Sequence, residues 1–190
     1  MEMVIPLAVF FVLACCAHAQ APDRFELFGG YSYTRYAVYN LYSGPWTSYS
    51  FNGWEASASA KIVPHVELET DFAGGHSGSP QPSSGFNLRT YMGGIRYSAQ
   101  GAKARFYVHG LLGGLYFANN YETPSSTSFA FALGGGAEYW FQRHFGARLC
   151  QIDYLYNTNS AAAQTAPPSQ SKSARGHFRL STGVVFRFGH

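Results

Sequence analysis

Charged residues are scarce in this chain, at 12% of its 190 residues. The 13 lysines and arginines and the 10 aspartates and glutamates give a formal charge of +3, and the basic residues are scattered along the sequence. Surfaces that bind nucleic acid carry clustered basic residues, so we expect no nucleic-acid partner. After the N-terminus there is no apolar run of about 18 residues, which excludes a helical membrane protein.

Cysteine is almost absent, with three residues in the whole chain. The apolar stretch 4–17 is followed by Ala17-His18-Ala19, which matches a signal peptidase site. We therefore predict a signal peptide at 1–19 and one domain at 20–190. Since Cys15 and Cys16 fall inside the signal peptide, only Cys150 remains, and the mature chain is expected to form no internal disulfide.

Glycine and aromatic residues are abundant, with 21 glycines, 14 tyrosines and 16 phenylalanines. Diglycines recur along the chain, and the residues between them alternate between apolar and polar in the period of two that is typical of strands. This pattern predicts eight strands, at 25–36, 53–62, 66–74, 87–98, 105–117, 129–141, 146–156 and 178–188.

The predicted connections alternate strictly in length. Long ones cover 37–52, 75–86, 118–128 and 157–177, and short ones cover 63–65, 99–104 and 142–145. Such alternation is typical of an up-and-down barrel with short periplasmic turns and long outer loops. The fold class predicted is therefore all-β, an eight-stranded antiparallel transmembrane barrel.

Charged residues of the predicted strands fall mainly on one face. The polar face takes twelve of them: Glu26, Glu55, Lys61, Glu67, Glu69, Asp71, Arg96, Arg105, Glu138, Asp153, Arg179 and Arg187. The apolar face takes Arg35, Arg89 and Arg148, all near strand ends. A charge on the lipid face near the bilayer midplane costs about 2 to 4 kcal/mol, so the apolar face is expected to contact lipid. A soluble lipocalin-like barrel would invert the two faces and is the alternative.

The interior of an eight-stranded barrel is just wide enough for side chains to fill it. We therefore predict a lumen closed by paired charges. Its candidate members are Glu26, Lys61, Glu67, Glu69, Asp71, Arg96, Glu138, Arg179 and Arg187. His109 points inward and is interpreted as a hydrogen-bonded lumen residue, while Trp140 on the same side would cap the mouth. No metal-ligand spacing is present, so neither metal nor cofactor is expected.

Several segments resemble the small outer-membrane barrels of the OmpA and OmpX type. They are Phe25-Glu-Leu-Phe-Gly-Gly-Tyr-Ser-Tyr-Thr34, Tyr91-Met-Gly-Gly-Ile-Arg-Tyr97, Gly134-Gly-Gly-Ala-Glu-Tyr139 and Val184-Val-Phe-Arg-Phe188. The resemblance implies a bacterial outer-membrane location among outer-membrane lipid and lipopolysaccharide. It also implies that Val184, Phe186 and Phe188 belong to a C-terminal signal that the barrel assembly machinery reads during insertion.

The first long connection is rich in aromatic residues, with Tyr39, Tyr42, Trp46 and Tyr49 as candidates for surface contacts. Nothing places a serine beside a histidine and an aspartate, so no enzymatic activity is expected. We predict a monomeric structural or adhesive scaffold that presents its loops. A narrow, porin-like pore for small solutes is the alternative within the same fold.

Overall fold

The computed structural model describes residues 25–39, 46–77, 86–119, 126–157 and 177–189. The predicted signal peptide lies outside these ranges. Within them the chain forms eight strands: β1 (Phe25–Tyr39), β2 (Trp46–Val63), β3 (Val66–Ser77), β4 (Phe86–Gln100), β5 (Ala104–Asn119), β6 (Ser126–Trp140), β7 (Phe145–Asn157) and β8 (His177–Phe188). Each strand pairs antiparallel with the next, and β8 pairs with β1. The predicted up-and-down barrel is confirmed.

In the described ranges, no helix has the length and apolar character needed to cross a membrane.

The strands extend further toward the long connections than the sequence predicts. Pairing of β1 with β2 continues to Tyr39 opposite Trp46, so only residues 40–45 separate the two strands. The predicted connection at 37–52 is therefore wrong in its bounds. The β-branched residues Val38 and Thr47, which lie opposite each other in this extension, favour strand pairing.

The outer wall of the barrel is apolar. Every strand exposes large hydrophobic side chains on this wall, for example Leu68 on β3, Leu133 on β6 and Val184 on β8. In the strands that the structure describes, Arg35 and Arg89 are the arginines on outward positions, and both lie toward the long connections. Charged side chains otherwise point into the barrel, which contradicts the lipocalin-like alternative and fits a wall solvated by hydrocarbon.

A β-bulge in β7 reverses one prediction made from alternation. The register between β7 and β8 shifts between Arg148 and Gln151, so Leu149 and Cys150 both face outward. Arg148, predicted on the apolar face, is instead buried in the lumen with 1% of its surface exposed. The bulge adds one residue to the strand, and every side chain before it changes face.

Glycines allow the strands to approach closely at the seam where the barrel closes. Gly30 on β1 lies opposite Gly183 on β8, and a Cβ added to Gly30 would lie 2.1 Å from the carbonyl oxygen of Thr182. The neighbouring Gly29 faces the other way, with nothing within 4 Å of an added Cβ. A small barrel must curve sharply, and glycine at the inward position provides the space for that curvature.

Candidate functional site

The lumen contains a network of buried charges. Among the described residues it comprises seven carboxylates and five guanidinium groups, which we call the lumen network: Glu26, Glu55, Glu67, Glu69, Asp71, Glu138, Asp153, Arg96, Arg105, Arg148, Arg179 and Arg187. Burying an unpaired charge in the lumen would cost a large amount of free energy, so each of these groups needs partners. These partners form two clusters along the barrel axis.

The first cluster lies toward the short turns and is centred on Arg105. Its Nη1 donates to Glu26 Oε1 at 2.8 Å and to Glu67 Oε1 at 3.3 Å, while its Nε donates to Glu138 Oε2 at 3.0 Å. Arg187 adds a bond from its Nε to Glu26 Oε1 at 2.7 Å. The planar guanidinium of Arg105 thus joins strands β1, β3, β5 and β6, a task that suits its five fixed donors.

Glu138 accepts hydrogen bonds from two further arginines. Arg96 Nη2 donates to its Oε1 at 2.9 Å, and Arg148 Nε donates to the same oxygen at 3.1 Å. Each of these guanidinium groups also lies on an aromatic ring: Arg96 is 3.7 Å from the ring centre of Tyr107, and Arg148 is 3.8 Å from that of Phe28. Cation–π contacts of this kind stabilise a charge that has lost its water.

The second cluster lies nearer the middle of the barrel and is centred on Arg179. Its Nη2 and Nε donate to Asp153 Oδ2 at 2.6 and 2.8 Å, and its Nη1 donates to Asp71 Oδ1 at 2.7 Å. Glu55 Oε2 lies 3.3 Å from Nε. One arginine therefore neutralises carboxylates from β2, β3 and β7.

Gln151 and His109 connect the network across the lumen. Gln151 Nε2 donates to Glu55 Oε1 at 2.9 Å and to Asp153 Oδ2 at 2.8 Å. His109 places Nδ1 at 2.8 Å from Glu69 Oε2 and Nε2 at 2.9 Å from Asp153 Oδ1. Only an imidazolium can donate through both nitrogens, and its charge would offset one of the two carboxylates that exceed the guanidinium groups.

An apolar plug closes the lumen toward the long connections. It consists of the buried side chains of Tyr36, Phe51, Leu88, Met92, Leu111, Leu115, Ala130, Ala132 and Leu155. Tyr36 stacks on His177 with ring centres 3.7 Å apart. Between the plug and the lumen network lies a cavity of about 10 Å³, lined by Phe51, Thr90 and Arg179 among others. A cavity of this size holds about one water molecule.

Trp140 closes the opposite end, as expected from its inward position. It is buried with Phe28 and Val185, and the guanidinium carbon of Arg187 lies 3.5 Å from the centre of its ring. In the described part of the lumen, an aromatic cap, the lumen network and the plug thus follow one another from the short turns toward the long connections.

Eight of the nine residues predicted for the network lie in it. The exception is Lys61, which is half-buried beside the turn between β2 and β3, with no ion pair found for it in the described part of the chain. Glu55, Arg105 and Asp153 were visible from alternation as inward charges, although they were not among the nine. Arg148 could not be found in this way because of the bulge.

The structure does not place the aromatic residues predicted for surface contact together in one loop. Tyr49 lies within β2 at an inward position and packs on Phe86 with ring centres 4.9 Å apart, so its assignment to a surface loop is wrong. Tyr39 and Trp46 are paired strand residues, and Tyr42 lies outside the described residues. Val184, Phe186 and Phe188 all face outward on β8, where Phe188 contacts Phe25 across the barrel seam.

No protein-family model matches the chain, and no curated protein matches it in sequence. Solved structures do match over most of its length, and eight-stranded outer-membrane barrels are among them. Neisserial surface protein A is 17% identical with a TM-score of 0.66, covering 86% of this chain and 97% of its own. At this identity the likeness shows the fold.

Two further structures support the same class. Ail, the attachment invasion locus protein of Yersinia pestis, is 13% identical with a TM-score of 0.55, covering 88% of this chain and 99% of its own. The N-terminal barrel domain of OprF from Pseudomonas aeruginosa is 17% identical with a TM-score of 0.53, covering 89% of this chain and 100% of its own. The chain thus has the fold of the small transmembrane barrels of the outer membrane.

Proposed function

We propose that this protein is an integral outer-membrane barrel that acts as a rigid, closed scaffold and presents its long connections at the cell surface. The observation that carries the proposal is the filled lumen. Between the lumen network and the apolar plug, the described residues enclose a cavity of about 10 Å³, which holds about one water molecule. A solute pore requires a continuous aqueous path, so a passive support for the loops is favoured over conduction.

The lumen network supports the rigidity of this scaffold. Arg105 and Arg179 each bind carboxylates from three other strands, so opening the barrel anywhere separates charges that have no water to replace their partners. Removing one partner of a buried pair typically costs about 3 to 5 kcal/mol. A barrel held in this way does not change shape readily. This rigidity favours a scaffold over a channel that opens and closes.

The apolar outer wall supports placement in a bilayer, and the likeness to outer-membrane barrels supports that membrane in particular. The predicted signal peptide agrees with export. The aromatic end of β8, formed by Val184, Phe186 and Phe188, supports recognition by the barrel assembly machinery during insertion. We propose no enzymatic role, because the charged side chains of the lumen network are buried in ion pairs with one another.

The topology supports a contact function at one end of the barrel. Segments 40–45, 78–85, 120–125 and 158–176 all join strands at the same end, opposite the short turns. Ail, a barrel of the same fold, is named for attachment and invasion. We propose that the four long connections of this chain likewise contact molecules outside the cell.

Conductance tests the closed lumen. The purified barrel is inserted into planar lipid bilayers, with a general porin as the positive control for insertion and recording. We expect no stable conductance steps from the folded protein. Reproducible steps that disappear on changing Glu69 or Arg96 would instead establish the narrow pore.

A loop exchange tests the contact role. Bacteria displaying this protein are compared with bacteria displaying a variant whose four long connections are replaced by glycine-serine linkers of equal length. The control replaces the short turn at 141–144 in the same way. We expect adhesion to cultured epithelial cells to fall only for the long-connection variant, and equal adhesion of all three strains would overturn the contact role.

A further inference from the structure

A groove crosses the outer wall where β2, β3 and β4 approach the long connections. Its volume is about 420 Å³, and its lining includes Trp54, Gly74, His76, Asn87 and Arg89. The proposed scaffold function depends on residues inside the barrel and gives this groove no role. The groove lies on the wall that the proposed function places in contact with lipid.

Gly74 creates the groove. It lies directly opposite Trp54 on one side and Arg89 on the other. Strands in a sheet are about 4.8 Å apart, so the backbones carrying the indole and the guanidinium are roughly 10 Å apart, and Gly74 between them contributes no side chain of its own. A Cβ on Gly74 would lie 2.9 Å from Trp54 Nε1, which shows that the indole leans over the bare backbone.

The ionisable groups that line the groove are basic. Arg89 is exposed, and it forms no ion pair with the residues that the structure describes. In the adjacent row, His76 Nδ1 lies 3.1 Å from Asn87 Oδ1, and Asn52 accepts a hydrogen bond from Tyr31. A guanidinium close to imidazole and amide groups, with no carboxylate in the lining, is complementary to a phosphate.

The groove is also apolar on the side facing the middle of the barrel. Trp54 is 56% exposed, and Tyr31 and Tyr91 are exposed on the same part of the wall. Tryptophan and tyrosine concentrate where headgroups meet acyl chains, so the groove lies at that depth. Phe72 and Leu68 continue the outward row of β3 toward the middle of the barrel.

We propose that this groove binds a phosphate-bearing membrane lipid. The phosphate contacts Arg89 and His76, and the first methylene groups of an acyl chain lie against the exposed Trp54 indole. The inference rests on the proposed membrane placement. It goes beyond general contact with lipid, because it requires one arginine and one glycine at defined positions.

Binding is tested on the full barrel in octyl glucoside, a detergent without phosphate. The probes are dihexanoyl phosphatidic acid, dihexanoylglycerol, which lacks the phosphate, and inorganic phosphate, which lacks the chains. We expect saturable NMR shift changes at the Trp54 indole N–H and the Gly74 amide with phosphatidic acid. The other two probes are expected to bind at least tenfold more weakly.

Variants distinguish the groove from general attraction to a cationic wall. Arg89→Gln is expected to weaken phosphatidic acid binding at least tenfold. Arg35→Gln removes the other outward arginine near the same end, outside the groove, and is expected to leave binding unchanged. Gly74→Ala, whose methyl group would push the Trp54 indole away from the backbone, is expected to weaken binding with the arginine intact.

Equal effects of Arg35→Gln and Arg89→Gln, or equal binding of dihexanoylglycerol, would overturn the proposal. Folding of each variant is checked by the heat-dependent shift on a detergent gel, and membrane insertion by flotation with vesicles. A barrel that inserts but binds no phosphatidic acid contradicts the groove site alone. A barrel that does not insert contradicts the proposed function.

Discussion

Arg179 on β8 donates two hydrogen bonds to one oxygen of Asp153 on β7, from Nε at 2.8 Å and from Nη2 at 2.6 Å. The same guanidinium also binds Asp71 on β3, across the lumen. Neighbouring strands and strands on opposite sides of the barrel are therefore held by one side chain. This arrangement makes the lumen network a structural element whose removal has measurable consequences.

Replacing Arg179 with methionine is expected to lower the free energy of unfolding by about 3 to 5 kcal/mol, because the nearby carboxylates remain buried without their cation. Urea unfolding in lipid vesicles, followed by tryptophan fluorescence, measures the change. The control Arg35→Met removes an exposed arginine and is expected to change stability by less than about 0.5 kcal/mol. Equal losses from both variants would contradict a stabilising network.

The diglycine at the barrel seam provides a matched pair of variants. Gly30→Ala is expected to destabilise the barrel by about 1 to 3 kcal/mol, since the new methyl group meets the backbone of β8. Gly29→Ala, where nothing lies within 4 Å of an added Cβ, is expected to be close to neutral. The fraction that folds, measured by the heat-dependent gel shift, separates them. A larger loss from Gly29→Ala would contradict the assigned faces.

The apolar plug offers a second matched pair, in two adjacent leucines of β5. Leu111 is buried in the plug, and Leu112 faces outward. Leu111→Ala is expected to cost about 2 to 5 kcal/mol because it leaves a cavity among packed side chains. Leu112→Ala removes only a contact with mobile lipid and is expected to cost clearly less. Urea unfolding of the two variants compares them directly, and a reversed order would show that the faces of β5 are misassigned.

The bulge in β7 predicts that two consecutive positions contact lipid. A bimane label is attached either to Cys150 or to Leu149→Cys in a Cys150→Ala background. Both labels are expected to be quenched by brominated acyl chains, because both side chains face outward. Quenching of only one of the two would mean a regular strand without the bulge, and Arg148 would then face lipid.

Alternation along the sequence predicted the fold and much of the charged interior. Glu67, Glu69 and Asp71 lie at every second position of β3, and a strand with one buried face needs no further information to assign them. The close approach at Gly30 could not be predicted in the same way, because it depends on the neighbouring strand. The recurring diglycines indicated the repeat of the strands, but not which glycine of a pair meets a neighbouring strand.

The remaining errors have physical causes. Arg148 was assigned to the wrong face because a bulge changes the count of residues without leaving a sequence signal. Leu111 and Leu115 follow the inward alternation, but alternation gives the face of a strand and not the depth along the barrel axis. The separation of the lumen into a part that contains the charges and a part that contains the apolar plug was therefore visible only in the structure. Tyr49 was misplaced because β2 begins at Trp46, and near the long connections its inward positions are the aromatic residues Tyr49 and Phe51, whereas farther along the strand the apolar residues face outward.

The orientation of the two faces is tested most directly by a nitroxide scan of β3 in lipid vesicles. Single spin labels are placed from position 66 to position 73, and their collisions with oxygen, which dissolves in hydrocarbon, are compared with collisions with a water-soluble nickel complex. We expect high oxygen accessibility at 68, 70 and 72, and low accessibility to both reagents at 67, 69 and 71. High nickel accessibility at Leu68 and Phe72 would mean that water contacts the apolar wall and would contradict a barrel with its charges inside.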